Sequence, residues 1–383
     1  MPPTVTCTHN LTNVGLRSSG TNVYLVGQKP PYILIDTGEG VPSFLPVLED
    51  ALRRNHRLQL GPDALSQHVM VDNTKEVSPV PCISDIIITH HHHDHYSGLN
   101  GVLLLAKKLW EECCQESVRV LNDDAPSEEE DSVASTYTPP KVHKLAAPPS
   151  RSTTPRTSAD AAHVDNNLEG KIQAVFASLV AGTFSPLSNT ESVHPLIPFQ
   201  TLHTADGSSS LSVIHTPGHT SDSIFLYLHE EQTLFSADSI LGQGTAVFED
   251  LAAYMSSLRR IIALPDEKGP EWDFKMIYPG HGPVIEDGPT VIKTYIKHRA
   301  QREMEIISVL EKTSRSSEPE GIGRHDWTVK QLVAVIYKDY PERLWEPAAH
   351  GVILHLRKLE AEKQVQQLGG DGVQSSWILT SKL

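Results

Sequence analysis

Short apolar runs separated by turn residues dominate the first stretch of the chain. TNVYLV (21–26) and YILID (32–36) flank the turn cluster GQKPP, and this pattern predicts an antiparallel strand pair. DTGEG follows at 36–40, and VPSFLPVLEDALRR then has helical spacing. Residues 61–80 read as loop. Residues 84–89 form another apolar strand, and LNGVLLLAKKLWEECCQE (99–116) repeats its apolar positions with helical period.

Between 122 and 170 the patterning stops. NDDAPSEEEDS carries six acids and APPSRSTTPRTSADAA is rich in Pro, Ser and Thr, so disordered insertions are expected at 122–137 and 150–170. PPKVHKL between them reads as a strand, and KIQAVFASLVAG as a short helix. Strands then follow in quick succession at 211–216, 223–228 and 233–238. A helix is predicted at 251–264, a strand at 274–280 and a long helix at 290–312. A linker at 313–325 precedes VKQLVAVIYKDY and AAHGVILHLRKLEAEKQV, both amphipathic helices, and SSWIL, a closing strand. Residues 326–383 therefore read as a winged-helix-like unit after a main domain at 1–312. Strands mixed with helices at both ends of that domain predict an α/β architecture, with sheet on sheet inside and helices outside.

Charge narrows the choice of partners. Lys plus Arg number 32 against 47 Asp plus Glu, a formal balance of −15 over 383 residues. Such a chain is not drawn nonspecifically to nucleic acid or anionic lipid. Removing the six acids of 123–131 still leaves −9. The cysteines Cys7, Cys82, Cys113 and Cys114 form no Cys-x-x-Cys pair and are too few for a disulfide scaffold, which points to a reducing compartment. The start, MPPTVTCTHN, lacks the layout of a signal or transit peptide, and no apolar run is long enough for a membrane span. A cytoplasmic location is the expectation.

The strongest chemical signal is IIITHHHHDH at 86–95, an apolar run that ends in five histidines and one aspartate. Neither helix nor strand needs clustered imidazoles, whereas neutral imidazole is the commonest metal ligand and a carboxylate completes many sites. A solvated histidine tract would not need the strand in front of it, and an affinity tag would sit at a terminus. Alternation puts His90 and His92 on one side, while Asp94 and His95 face a second point. Further donors must come from other strand ends. His219 follows the 211–216 strand in TPGHTSDS, Asp238 ends the strand in LFSADSILG, and His281 lies between Gly280 and Gly282 in IYPGHGPVI. Each alone reads as an ordinary turn or strand-end residue; four strand ends offering such residues point to one metal centre.

This set resembles the metallo-β-lactamase superfamily, whose hallmark is Thr-His-x-His-x-Asp-His with later His, Asp and His. The resemblance implies an αβ/βα sandwich with a two-metal site at one edge. It places His90, His92 and His219 on the first metal, Asp94, His95 and His281 on the second, and Asp238 between them. Asp36 of IDTGEG would support the site, and His91 and His93 would not be ligands. More narrowly, GTNVYLVG, ILIDTGEG, HTPGHTSDS, SADSILGQGTAVFEDLAAYMSSL, IYPGHGPVI and VILHLRKLEAEKQV look like the β-lactamase-like protein 2 group, which ends in a winged-helix-like cap. The likeness covers 20–60, 84–110, 138–148 and 205–383. It departs at DHYSGL, where Ser97 replaces a glycine usual in the group, so the backbone there is expected to sit differently.

Two metals about 3.5–4 Å apart lower the pKa of a shared water toward roughly 7, and the hydroxide so formed attacks a carbonyl carbon or phosphorus. Asp94 would orient that water or accept its proton. The expected cofactors are two Zn2+, with Mn2+ or Fe as alternatives. The resembled group includes single-stranded RNA endonucleases and fungal thioesterases that release polyketides from a carrier protein. The −15 balance favours an acyl thioester or ester, for instance one presented on a carrier protein, over single-stranded RNA. Membrane and DNA are not expected partners. A non-catalytic metal-binding scaffold is the contrasting reading, against which the full donor set speaks. Arg357, Lys358 and Lys363 read first as a solvated helix face, His355 as a plain helix histidine that could instead reach the mouth of the site, and His215 as an edge-strand histidine that could line it.

Overall fold

The computed structural model describes residues 5–9, 20–60, 80–122, 136–146, 168–314 and 326–380. The expected loop at 61–80, most of the two expected insertions and residues 315–325 of the expected linker lie outside the described residues.

The first sheet is built from β1 (Val5–His9), β2 (Asn22–Val26), β3 (Tyr32–Ile35), β4 (Ile83–Ile88), β5 (Lys141–Leu145) and β6 (His194–Leu196), paired in that order. The β2–β3 pair is antiparallel, as GQKPP predicts, with Leu25 opposite Leu34. From β3 onward the strands are parallel. Parallel neighbours need crossover helices, and these are α1 (Phe44–Leu60), the single turn α2 (His93–Tyr96) with α3 (Leu99–Asn122), and α4 (Leu168–Ala177). The second sheet contains β7 (Thr201–His203), β8 (Ser210–His215), β9 (Ile224–Leu228), β10 (Thr233–Ala237) and β11 (Met276–Pro279), in the order β11-β10-β9-β8-β7. The helices α5 (Leu251–Lys268) and α6 (Gly288–Ser314) cover its outer face.

Side-chain alternation sorts these strands into layers. Ile33, Ile35 and Ile87 face the second sheet and meet Val213, Leu226 and Phe235. Leu34, Ile86 and Ile88 point the other way, onto Phe44, Leu48, Leu99 and Val102 of α1 and α3. Ile214, Phe225 and Tyr227 pack on Tyr254, Leu258 and Ile261 of α5 and Ile292 of α6. Helix, sheet, sheet and helix therefore stack in four layers, and strands buried on both faces read as continuous apolar runs.

The C-terminal unit has its own core. Its elements are β12 (Trp327–Thr328), α7 (Val329–Ile336), α8 (Trp345–Ala361), β13 (Val365–Gly369) and β14 (Ser376–Leu379), with sheet order β12-β14-β13. Val329, Leu332, Val352, Leu356 and Trp377 close on Ile306, Val309 and Leu310 at the far end of α6. Two expectations need correction here. The helix foreseen through 340 stops at Ile336, ahead of Pro341, whose ring disfavours helical backbone at the residue before it. The helix foreseen through 365 stops at Ala361. Lys363 takes φ +60, and the Lys363 and Gln364 amides donate back to the Glu360 and Leu359 carbonyls at 2.8 Å each, a left-handed cap that turns the chain into β13. Val365 kept the apolar rhythm as a strand residue, which periodicity cannot distinguish.

Candidate metal centre

Strand directions decide where the donors meet. Because β9 is antiparallel to both β8 and β10, while β11 is parallel to β10, the last three strands named end on one side. His219, Asp238 and His281 follow those ends. The parallel strands β3 and β4 end at Asp36 and at Thr89–His95, on the facing edge of the first sheet. The two edges are stitched together. The Asn22 amide group donates to the Pro279 and Gly282 carbonyls at 3.0 and 2.8 Å, Thr21 bridges to His281, and the Ile224 amide reaches the Thr89 carbonyl at 3.2 Å.

Glycines permit the closest approaches. A Cβ on Gly218 would lie 2.3 Å from the Tyr254 backbone, so only glycine lets α5 abut the His219 turn. A Cβ on Gly280 would fall 2.4 Å from Asp238 Oδ1 and 3.0 Å from His95 Cε1. Ser97, expected to disturb the loop, has right-handed helical backbone (φ −65, ψ −22), which serine adopts as easily as glycine.

Three imidazole nitrogens converge in the first cluster. His90 Nε2 and His92 Nδ1 are 3.0 Å apart, and His219 Nε2 lies 3.2 and 3.0 Å from them. Asp238 Oδ2 stands 3.8 Å from His219 Nε2. In the second cluster His281 Nε2 is 3.2 Å from both Asp94 Oδ2 and Asp238 Oδ2, while His95 Nε2 is 3.3 Å from Asp238 Oδ1 and 3.7 Å from Asp94 Oδ2. All seven residues foreseen from the sequence are thus brought together, in groups of four that share Asp238.

Outer hydrogen bonds aim the rings. His95 Nδ1–H donates to Asp36 Oδ2 at 2.7 Å, the Thr89 hydroxyl donates to the same carboxylate at 2.9 Å, and His90 Nδ1–H donates to the Thr89 oxygen at 3.0 Å. His219 Nδ1–H donates to the Val247 carbonyl at 2.8 Å. Each bond leaves the inward nitrogen free as a lone-pair donor. Asp36, at φ +61, pays for its position with left-handed backbone strain.

The donor set fits metal ions. Three lone pairs facing one another at 3.0–3.2 Å satisfy nobody without a cation, and tetrahedral Zn–N bonds of 2.0–2.1 Å would set the nitrogens about 3.3–3.4 Å apart. His95 Nε2, Asp238 Oδ1 and His281 Nε2 are buried without a hydrogen-bond partner. Burial, reinforced by neighbouring imidazoles, pushes His90 well down and His92 to about 3; burial also lowers His219, so this trio is neutral as metal binding requires. Burial opposes charge at the second cluster too, but there opposite charges win. Asp238 and Asp94 push His281 up to about 9, and the histidines hold both carboxylates well below their usual range.

Other candidates fall elsewhere. His93 is largely exposed near Glu39. His91 is buried, with Nδ1 3.0 Å from Asp222 Oδ1 and Nε2 3.6 Å from Glu249 Oε1. Together with His92 and Glu249 it makes a third, looser grouping of donors. Lys144 of β5 ion-pairs with the other Asp222 oxygen. Sequence reasoning missed Asp222, Glu249 and Lys144, single charges without a spacing cue. His215 closes its own turn, Nε2–H donating to the Ser221 carbonyl at 2.9 Å. His355 is buried against Glu303, between α8 and α6. Lys358, expected on a solvated face, is buried and paired with Glu303 at 2.9 Å.

Residues 17–281 match the family described as the metallo-beta-lactamase superfamily, and 328–377 match the beta-lactamase associated winged helix domain. The chain belongs to the metallo-beta-lactamase superfamily. A Beta-lactamase-like protein 2 homolog of Drosophila melanogaster is 31% identical over 348 residues, covering 91% of this chain and 84% of that protein. The Caenorhabditis elegans homolog is 44% identical over 154 residues, 40% of this chain and 45% of its own. Lactamase-like protein aptB of Emericella nidulans is 30% identical over 174 residues, covering 45% and 53%. The fold recurs in a metallo-beta-lactamase family protein of Thermus thermophilus (TM-score 0.54, 18% identity, 98% of both chains) and a beta-lactamase domain protein of Burkholderia ambifaria (TM-score 0.58, 13% identity, 98% and 91%). As a superfamily member with clustered donors, the chain is a metal-dependent hydrolase.

Proposed function

We propose that the protein hydrolyses acyl thioesters or esters at a centre of two metal ions, zinc being favoured by the imidazole-rich donors. The observation that carries this reading is the pair of four-donor groups sharing Asp238. His90, His92 and His219 would hold one ion, Asp94, His95 and His281 the other, with Asp238 common to both. When bound, such a pair supplies activation of water at neutral pH and polarisation of the scissile carbonyl. The chain's residues do the rest. Asp94, whose Oδ2 accepts from the Thr21 hydroxyl at 3.1 Å and stands 3.2 Å from His281 Nε2, is fixed to orient water and take its proton. Asp36 and Thr89 hold His95 and His90 in one tautomer.

Two features favour an acyl substrate over RNA. The chain carries −15, and Glu249 adds a carboxylate in a grouping with His91 and the donor His92, an unwelcoming field for a polyanion. Val247, whose carbonyl holds His219, is 70% exposed, an apolar surface next to the site. An acyl group presented on a carrier protein in the cytoplasm fits this reading. No helix among the described residues is long and apolar enough to cross a membrane.

The test offers the purified chain an acyl-coenzyme A or acyl-carrier thioester and, separately, labelled single-stranded RNA, with an Asp94→Ala, His95→Ala variant as control. Thioester hydrolysis that the variant lacks is the expected result. RNA cleavage alone overturns the substrate, and two bound metals without either activity leave a binding scaffold.

A further inference from the structure

We propose that Arg299, on the helix leading to the C-terminal unit, is a positioning residue for the three-histidine cluster, acting through the segment Ala246–Phe248 on His219. The inference rests on the metal reading above and extends it to a side chain distant from the donors.

His219 is one of the three imidazoles of the first cluster. Its inward Nε2 is a usable donor only while Nδ1 carries the proton, and that proton is held by the Val247 carbonyl at 2.8 Å. Val247 itself is 70% exposed, and the Glu249 and Asp250 amides tie the following residues to the Gly218 and His219 carbonyls. Its two neighbours are held by α6. Arg299 Nη2 donates to the Ala246 carbonyl at 3.0 Å, and the guanidinium lies over the Phe248 ring, 4.8 Å from its centroid. The Phe248 ring also packs against Tyr254 of α5, 5.3 Å away at 24°. One side chain thus grips the segment on both sides of the residue that fixes the imidazole. Tyr295, one helical turn earlier on the same face, places its hydroxyl 3.4–3.5 Å from Leu241 and Gly244 backbone atoms, so α6 seats the whole 241–248 segment. A planar fork that donates and stacks at once is a role lysine fills only in part.

The experiment strips the full-length chain with chelator and titrates it with Co2+, following the visible ligand-field spectrum, then displaces the Co2+ with Zn2+. Arg299→Gln, which leaves the Val247 carbonyl in place but loosens its seat, is expected to weaken the three-histidine site by up to about tenfold, the low end of the effect of losing an outer hydrogen-bond partner outright, and to alter its spectrum. Metal-free melting should stay near that of the wild type. Arg299→Lys is expected to fall between the two. Arg302→Gln, on the same helix but over Tyr337 of the C-terminal unit, should match the wild type. Wild-type affinity and spectrum in Arg299→Gln overturn the proposal; should that variant fail to fold, wild-type values in Arg299→Lys do so. His219→Ala run alongside separates the two ideas, since unchanged metal binding in it would overturn the metal assignment itself.

Discussion

Asp94 and Gly280 illustrate how little room the centre has. Asp94→Asn keeps the shape but removes a carboxylate that the proposal makes both metal ligand and base, so kcat should fall by at least about 10²–10⁴-fold and bound metal should drop, checked by steady-state kinetics on a thioester and elemental analysis. Gly280→Ala adds one methyl 2.4 Å from Asp238 Oδ1. It should lower the metal content measured by elemental analysis while leaving far-UV circular dichroism unchanged. The donors themselves were legible because imidazoles and carboxylates at strand ends have few structural reasons to be there. Their supports were not. Asp222 and Lys144 lie 78 positions apart in the chain, and nothing in TSDS or VHKL announces that they meet beneath His91.

Among the elements, the contact of α6 with α8 carries buried charge. Glu303 receives Lys358 Nζ at 2.9 Å and faces His355 Nδ1 at 3.5 Å, and Lys358 also reaches Glu362 at 2.8 Å. Burial pulls the Glu303 carboxyl up, yet His355 and Lys358 hold it below its ordinary 4.5. A depressed carboxyl stabilises the fold above its unfolded pKa and loses that contribution as acid titrates the folded state. Glu303→Gln should therefore lower stability by about 1–3 kcal/mol at pH 7, and its difference from the wild type should shrink below pH 4.5. Thermal melts across that range check it. Strands β2, β3 and β9 follow the apolar runs closely, since burial on both faces writes an unbroken pattern. Short edge strands such as β6 and β7, and the strand β13 after a left-handed turn, carry too few residues to show a period.

For the molecule as a whole, metal and fold are linked, because the donors come from both sheets. An ion held at 100 times its dissociation constant adds about 2.7 kcal/mol to stability. Chelation should therefore lower the melting temperature and Zn2+ should restore it, with the Asp94→Ala, His95→Ala variant responding less; differential scanning calorimetry reads the effect. The layered architecture followed from the order of runs, but how the sheets face each other depends on stitches such as Asn22 to Gly282, 260 positions apart, that no local pattern encodes. Those stitches have a consequence for timing. The donor set is complete only once the segment around His281 has been synthesised and locked onto the strand that begins at Asn22.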